Sequence, residues 1–84
     1  MDAAEHYLRE LLGLRELRVR HEANDLARIE IPVAELSRLS DPELRQKVCA
    51  TLHNLGFKYV TLDLDGFRSG SLNVVLPMVN LRLP

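Results

Sequence analysis

The sequence predicts a small α+β domain with the element order α-β-β-α-β. Apolar residues first recur at helical spacing and then alternate with polar ones over residues 15–31. A second helical segment precedes a β-rich run at residues 57–64. Because 84 residues can bury only one modest core, we assign residues 1–76 to a single domain and treat residues 77–84 as an apolar tail.

Residues 2–12 predict an amphipathic helix. The apolar side chains of its buried face follow the helical period, and they are Ala4, Tyr7, Leu8, Leu11 and Leu12. Asp2 suits the positive end of the helix dipole, and Gly13 can adopt the left-handed conformation that ends a helix.

Residues 15–21 and 26–31 alternate between apolar and polar side chains, which predicts two half-buried strands. The run 22–25 between them favours a turn because Asn and Asp tolerate positive φ, so the strands form an antiparallel hairpin. Pro32 cannot donate to a strand ladder and ends the second strand. A short turn of helix follows over residues 33–39.

A second helix begins at Ser40, which forms a capping-box pattern with Glu43. Its apolar face consists of Leu44, Val48, Leu52 and Leu55. Gly56 ends this helix, and residues 57–64 then predict a third strand because they are rich in aromatic and β-branched side chains.

The topology follows from the order of these elements. A right-handed crossover through the second helix returns the third strand parallel to the second. We expect a three-stranded mixed sheet with strand order 2-1-3 and two helices on one face. The other face carries polar residues that need solvent or a partner, and they are Arg18, Arg20, Arg28 and Glu30.

Composition excludes several classes of function. The formal net charge of -1 supplies no general attraction to nucleic acid or an anionic membrane, and the apolar stretch 72–83 is too short to span a bilayer. The single cysteine, Cys49, excludes an intramolecular disulfide, and we expect a cytoplasmic protein. No phosphate loop or metal-ligand spacing occurs, so the chain contains no complete active site, no catalytic residue and no metal site that we can assign.

Arg18 and Arg20 are the strongest candidates for binding an anion. Two positions apart on a strand, their guanidinium groups project from one face and could clamp a phosphate or carboxylate. The alternative, a solvated strand face whose arginines pair with Glu16, Glu30 or a neighbouring subunit, stays open on spacing alone.

The loop that follows the third strand is the second candidate. Asp63, Asp65, Arg68 and Ser69 give it the densest polar chemistry in the chain, and loops often bind ligands. His21 at the end of the first strand is a further candidate. The alternatives are that Asp65 only forms a turn and that His21 is an exposed strand end.

Three segments resemble the C-terminal part of a known family. They read LRVRH at 17–21, DLARIEIP at 25–32 and LGFKYVTLDLDGFRSGSLN at 55–73. They are similar to ExsB-like PP-loop proteins, which include the ATP-dependent sacrificial sulfur transferases of LarE type. The resemblance extends from about residue 4 to residue 76.

The resemblance implies a partner domain, a PP-loop ATPase outside these residues that uses ATP and Mg²⁺ to adenylylate a substrate carboxylate. Neither cofactor is expected to bind this chain alone. Arg18 and Arg20 match the family's paired arginines, which are associated with the substrate's phosphate. Glu5 matches an acidic position with a possible metal- or substrate-facing role. The sequence departs from the family in a longer turn at 21–25 and in Val74, where the family has a glutamate.

We therefore expect the substrate-binding and oligomerisation domain of an ATP-dependent PP-loop sulfur transferase. Its expected partners are the ATPase domain, further copies of itself and a phosphorylated small-molecule substrate, but neither nucleic acid nor membrane. The alternative is a small self-associating interaction module without ligand-binding activity.

Overall fold

The computed structural model describes residues 2–68 and confirms the α+β class and the α-β-β-α-β order. Ser69 and the predicted tail 77–84 lie outside these residues, so the predicted division at residue 76 stays a prediction. The helices and strands are α1 (Ala3–Leu12), β1 (Arg18–Glu22), β2 (Leu26–Glu30), α2 (Pro42–Asn54) and β3 (Tyr59–Leu62). Short 3-10 helices occupy Ala23–Asp25 and Val33–Ser40.

The three strands form a mixed sheet in the order β1-β2-β3. β1 pairs antiparallel with β2, with Val19 opposite Ile29, and β3 pairs parallel with β2, with Leu62 opposite Ile29. The predicted order 2-1-3 is therefore wrong, because α2 returns the chain to the edge of β2 that the hairpin leaves open. Had β3 paired with β1 while running parallel to β2, the sheet would have been entirely antiparallel.

Both helices pack on one face of the sheet, as predicted. One buried cluster contains apolar residues from α1, α2, the strands, the segments next to the strands and the second 3-10 helix, namely Ala4, Leu8, Leu12, Leu17, Val19, Ala27, Ile29, Ile31, Leu39, Val48 and Leu52. β2 contributes Ala27 and Ile29, both almost fully buried, as expected for the central strand. Among residues 2–68, no helix is long and apolar enough to cross a membrane.

Polar side chains fix where both helices begin. Asp2 caps α1 by accepting a hydrogen bond from the Ala4 backbone N–H at 2.9 Å. α2 is capped by Asp41, which accepts from the Leu44 N–H at 3.0 Å, and not by Ser40 as the sequence predicted. The reason is Pro42, which suits the first position of a helix and so places the cap at the residue before it.

The hairpin turn is shorter than predicted because Glu22 belongs to β1. The strand also begins later than predicted, at Arg18 and not at residue 15. The turn comprises Ala23–Asp25, and Asn24 and Asp25 adopt positive φ angles of 63° and 56°. Asn and Asp are the residues besides glycine that tolerate this conformation best, so the sequence suits the turn.

The turn after β3 brings the chain back to β2. Gly66 has a φ of 82° and donates its backbone N–H to the Asp63 carbonyl at 2.9 Å. The Phe67 N–H then donates to the Ile31 carbonyl at 2.8 Å. The predicted Asp65-Gly66 turn is thus confirmed, although β3 itself is shorter than the predicted run 57–64. The loop lies against the end of the central strand.

Candidate functional site

The face of the sheet opposite the helices carries a cluster of charged side chains, and Glu5 of α1 adjoins it at the edge of β1. We call these residues together the outer-face cluster: Glu5, Arg18, Arg20, Glu22, Arg28, Glu30, Asp63 and Arg68. Alternate strand residues share a face, and the register places Arg18 opposite Glu30 and Arg20 opposite Arg28. Loop 63–68 reaches the same face beside β2.

Arg18 and Arg20 are both exposed and only loosely paired. The Arg18 Nε atom lies 3.5 Å from Glu5 Oε2, and the Arg20 Nε atom lies 3.4 Å from Glu30 Oε1. Charge-assisted hydrogen bonds are usually near 2.8 Å, so both contacts are weak. The two side chains are 48% and 44% exposed. Within residues 2–68 neither guanidinium donates a hydrogen bond, and both could reorient toward an anion.

Glu5 links α1 to the start of β1. Its carboxylate accepts a hydrogen bond from the Val19 N–H at 3.0 Å and lies 3.5 Å from Arg9 Nη2. Sequence resemblance had suggested Glu5, and the structure places it beside Arg18. Because Glu5 already has a backbone donor and Arg9, it does not depend on Arg18 for a partner.

Glu30 is a residue of the site that the sequence analysis named only as a pairing partner of the arginines, and the structure places it beside Arg20. It is 6% exposed and is the buried charged residue among residues 2–68. Its Oε2 atom accepts a hydrogen bond from Arg28 Nη1 at 2.8 Å. The alternation of β2 could have identified it, since that pattern placed a carboxylate on the arginine-bearing face next to β1.

Asp63 anchors the loop to the sheet. It accepts hydrogen bonds from Arg28 Nη1 at 2.7 Å and from the Asp65 N–H at 2.9 Å. Arg68 lies 3.5 Å from both Asp63 and Asp65. Three predicted residues, Asp63, Asp65 and Arg68, therefore come together at the edge of the outer-face cluster.

These contacts shift two pKa values in opposite directions. The Asp65 N–H is the largest cause of a lowered pKa of the Asp63 carboxyl, partial burial opposes it, and the Arg28 guanidinium adds to the lowering. The hydrogen bond to Glu22 is the largest cause of a raised pKa of Arg28, with Asp63 contributing further. Both shifts favour the charged, paired forms.

His21 lies on the other face of the sheet. It is opposite Ala27 in the hairpin, and its ring meets Phe57 edge-on at a centroid distance of 4.8 Å. Its Nε2 atom lies 3.1 Å from Asp25 Oδ1. The structure therefore does not bring His21 to Arg18 and Arg20, because adjacent strand residues point to opposite faces.

The metal-binding capacity of residues 2–68 follows from how their potential ligand side chains are grouped. In this part of the chain no three His, Cys, Asp or Glu side chains are grouped as a metal site would require. The half-buried Cys49 lies on α2 and lines a groove beside Val48 and Leu62.

The lowered pKa of Asp63 predicts a pH-dependent effect of Asp63→Asn. A carboxyl whose pKa is lower in the folded state stabilises the fold above its unfolded-state pKa, about 3.9, and loses that contribution as the pH falls through the folded-state value. We expect Asp63→Asn to lower the free energy of unfolding at pH 7, and the deficit to shrink below about pH 4. Urea titrations across this range measure it.

Asp65→Asn is the control because its carboxylate is 82% exposed and meets Arg68 only at 3.5 Å. We expect it to change stability little at any of these pH values. A deficit for Asp63→Asn that stayed constant with pH would contradict the assigned role of its carboxylate.

Comparison with known proteins gives two informative relatives, whereas no protein-family model matches the chain. Over 79 residues, 94% of the chain, it is 48% identical to the pyridinium-3,5-bisthiocarboxylic acid mononucleotide synthase of Lactiplantibacillus plantarum. Over 73 residues, 87% of the chain, it is 48% identical to an uncharacterized protein of Synechocystis sp.. The chain spans about a quarter of the length of these relatives. It is therefore similar, along nearly its whole length, to one part of such a synthase.

Proposed function

We propose that this chain is the substrate-binding domain of an ATP-dependent PP-loop sulfur transferase, corresponding to the C-terminal domain of that family. The observation that supports the proposal best is the adjacent, exposed and loosely paired Arg18 and Arg20. The similarity to the mononucleotide synthase supports it independently. The proposed partners are a PP-loop ATPase domain and further copies of this chain.

The proposed ligand is the phosphate of a pyridinium mononucleotide, the class of compound named for the Lactiplantibacillus relative. Strand residues two positions apart are separated by about 6.6 Å, which lets two long side chains converge on one phosphate. Each guanidinium presents a fork of donors that matches phosphate oxygens. Arg18 and Arg20 would then fix the mononucleotide on the outer face of the sheet.

Binding the phosphate would orient the substrate for the reaction at its carboxylates. A substrate fixed at its phosphate presents its carboxylates in a defined direction, so an approaching ATPase domain meets a positioned group. The two guanidinium groups would also stabilise negative charge that develops near the bound substrate. ATP and Mg²⁺ would belong to the partner domain.

The test is removal of both guanidinium groups in the double variant Arg18→Ala plus Arg20→Ala. We expect the variant to stay folded, because both side chains are exposed, and its affinity for nicotinate mononucleotide to fall at least about tenfold. Chemical-shift titration of the 84-residue chain measures this. Nicotinate riboside, which lacks the phosphate, should bind weakly to both proteins.

A charge-matched control is Arg45→Ala plus Lys47→Ala, since both residues are exposed on α2, away from the outer-face cluster. The control should bind nicotinate mononucleotide as the wild type does. Equal affinity of the Arg18/Arg20 variant and the wild type would contradict the proposal. A molecular mass that rises with concentration, without any response to the mononucleotide, would favour the self-associating module instead.

A further inference from the structure

We infer that Arg28 is a positioning residue that keeps Arg20 available to an anion by holding the carboxylate of Glu30. The anion-binding part of this inference rests on the proposed function. The hold of Arg28 on Glu30 can be tested without any ligand.

Glu30 has two cationic neighbours at unequal distances. Arg28 Nη1 donates to its Oε2 atom at 2.8 Å, whereas Arg20 Nε lies 3.4 Å from its Oε1 atom. A carboxylate that is 6% exposed needs a hydrogen-bonded cation, because an unpaired buried charge is costly. Arg28 meets that requirement, so Arg20 does not have to.

Arg28 is itself largely engaged, because four of its five N–H groups donate to carboxylates. Its Nε and Nη2 atoms donate to Glu22 Oε2 at 3.2 and 2.8 Å. Its Nη1 atom donates to Asp63 at 2.7 Å as well as to Glu30. Three carboxylates thus fix the guanidinium in place, so its contacts connect parts of the chain to one another.

Glu5 is held in a comparable way. The Val19 N–H, at 3.0 Å, is closer to its carboxylate than Arg18 is, at 3.5 Å. Each carboxylate next to the arginine pair therefore has a shorter contact elsewhere. Without Arg28, the remaining cation near Glu30 among residues 2–68 is Arg20, which would turn inward and lose its capacity for phosphate.

The test compares Arg28→Met, Glu30→Gln and the double variant that combines them. The first readout is the side-chain Nε–H resonance of Arg20 in the ligand-free protein. We expect this proton to move downfield in Arg28→Met, as Arg20 forms a short hydrogen bond with Glu30, and not to move in the double variant.

The second readout is affinity for inorganic phosphate. We expect Arg28→Met to weaken it about fivefold or more, the scale of one modest hydrogen bond, whereas Glu30→Gln should not weaken it. The double variant should bind like Glu30→Gln. If Arg28 only supported the fold and did not act through Glu30, the double variant would bind phosphate as weakly as Arg28→Met. That result would overturn the inference.

Arg28→Lys keeps a cation and serves if Arg28→Met does not fold. A lysine can hold one carboxylate as a point charge but cannot span three. We expect an intermediate Arg20 shift and an intermediate loss of affinity. A loss of phosphate affinity in Arg28→Lys while the Arg20 resonance kept its wild-type position would overturn the inference. A wild type that binds no phosphate, with the Arg20 resonance still moving in Arg28→Met, would contradict the proposed function and support the hold of Arg28 on Glu30.

Discussion

Gly66→Ala is expected to destabilise the domain by about 2–4 kcal/mol, from about 1 for the backbone conformation and 1–3 for overpacking. Gly66 has a φ of 82°, which alanine adopts only with strain. A Cβ atom there would lie 2.7 Å from Val33 Cγ2 and 2.9 Å from the Ile31 carbonyl oxygen. That oxygen accepts the hydrogen bond from the Phe67 N–H and cannot move away freely. Urea denaturation measures the loss.

Gly13→Ala separates the two contributions. Gly13 has a similar φ of 67°, but nothing lies within 4 Å of the position of its Cβ. We expect it to cost only the conformational part, about 1 kcal/mol. If both variants lost the same stability, the close approach of Gly66 to the end of β2 would have no energetic role.

Leu52→Ala is the second substitution with a large expected effect, and we expect it to lower the free energy of unfolding by about 2–5 kcal/mol. Leu52 is 0% exposed on α2 and belongs to the cluster between the helices and the sheet. Truncation removes buried methyl groups and leaves a cavity that close-packed neighbours fill only in part. A domain this small has a stability of only several kcal/mol, so the variant should be partly unfolded at room temperature. Circular dichroism and thermal unfolding measure this.

Leu55→Ala is the matched control, with the same truncation at the end of the same helix. Leu55 is 45% exposed, and we expect a loss below about 1 kcal/mol. Similar losses for Leu52→Ala and Leu55→Ala would contradict the assignment of Leu52 to the core.

Sequence periodicity predicted which face each residue occupies, but not which strands are neighbours. Val19, Ala27 and Ile29 are buried as their alternation indicated, and Arg18 and Arg20 lie on the opposite face. The sheet order was wrong because alternation is the same whichever edge a strand joins. That choice depends on where the crossover helix packs, which no local pattern records.

The candidate site was likewise predictable in its local spacing but not in its contacts with distant parts of the chain. The spacing of Arg18 and Arg20 placed them together, whereas their partners come from elsewhere in the chain. Glu5 reaches Arg18 only because α1 packs against β1, and Glu30 reaches Arg20 through the register of the hairpin. His21 follows Arg20 in sequence, but successive side chains of a strand point to opposite faces of the sheet. The alternation that places Arg18 and Arg20 on one face therefore places His21 on the other.

The contact between Arg28 and Asp63 also orders events during folding. These residues are 35 positions apart, whereas Arg28 and Glu22 are 6 apart within the hairpin. Closing the longer loop costs more chain entropy, so the hairpin can form before β3 has docked. A nascent chain therefore displays Arg18 and Arg20 before Asp63 can fix Arg28. The full set of three carboxylates around Arg28 is complete only when β3 is in place.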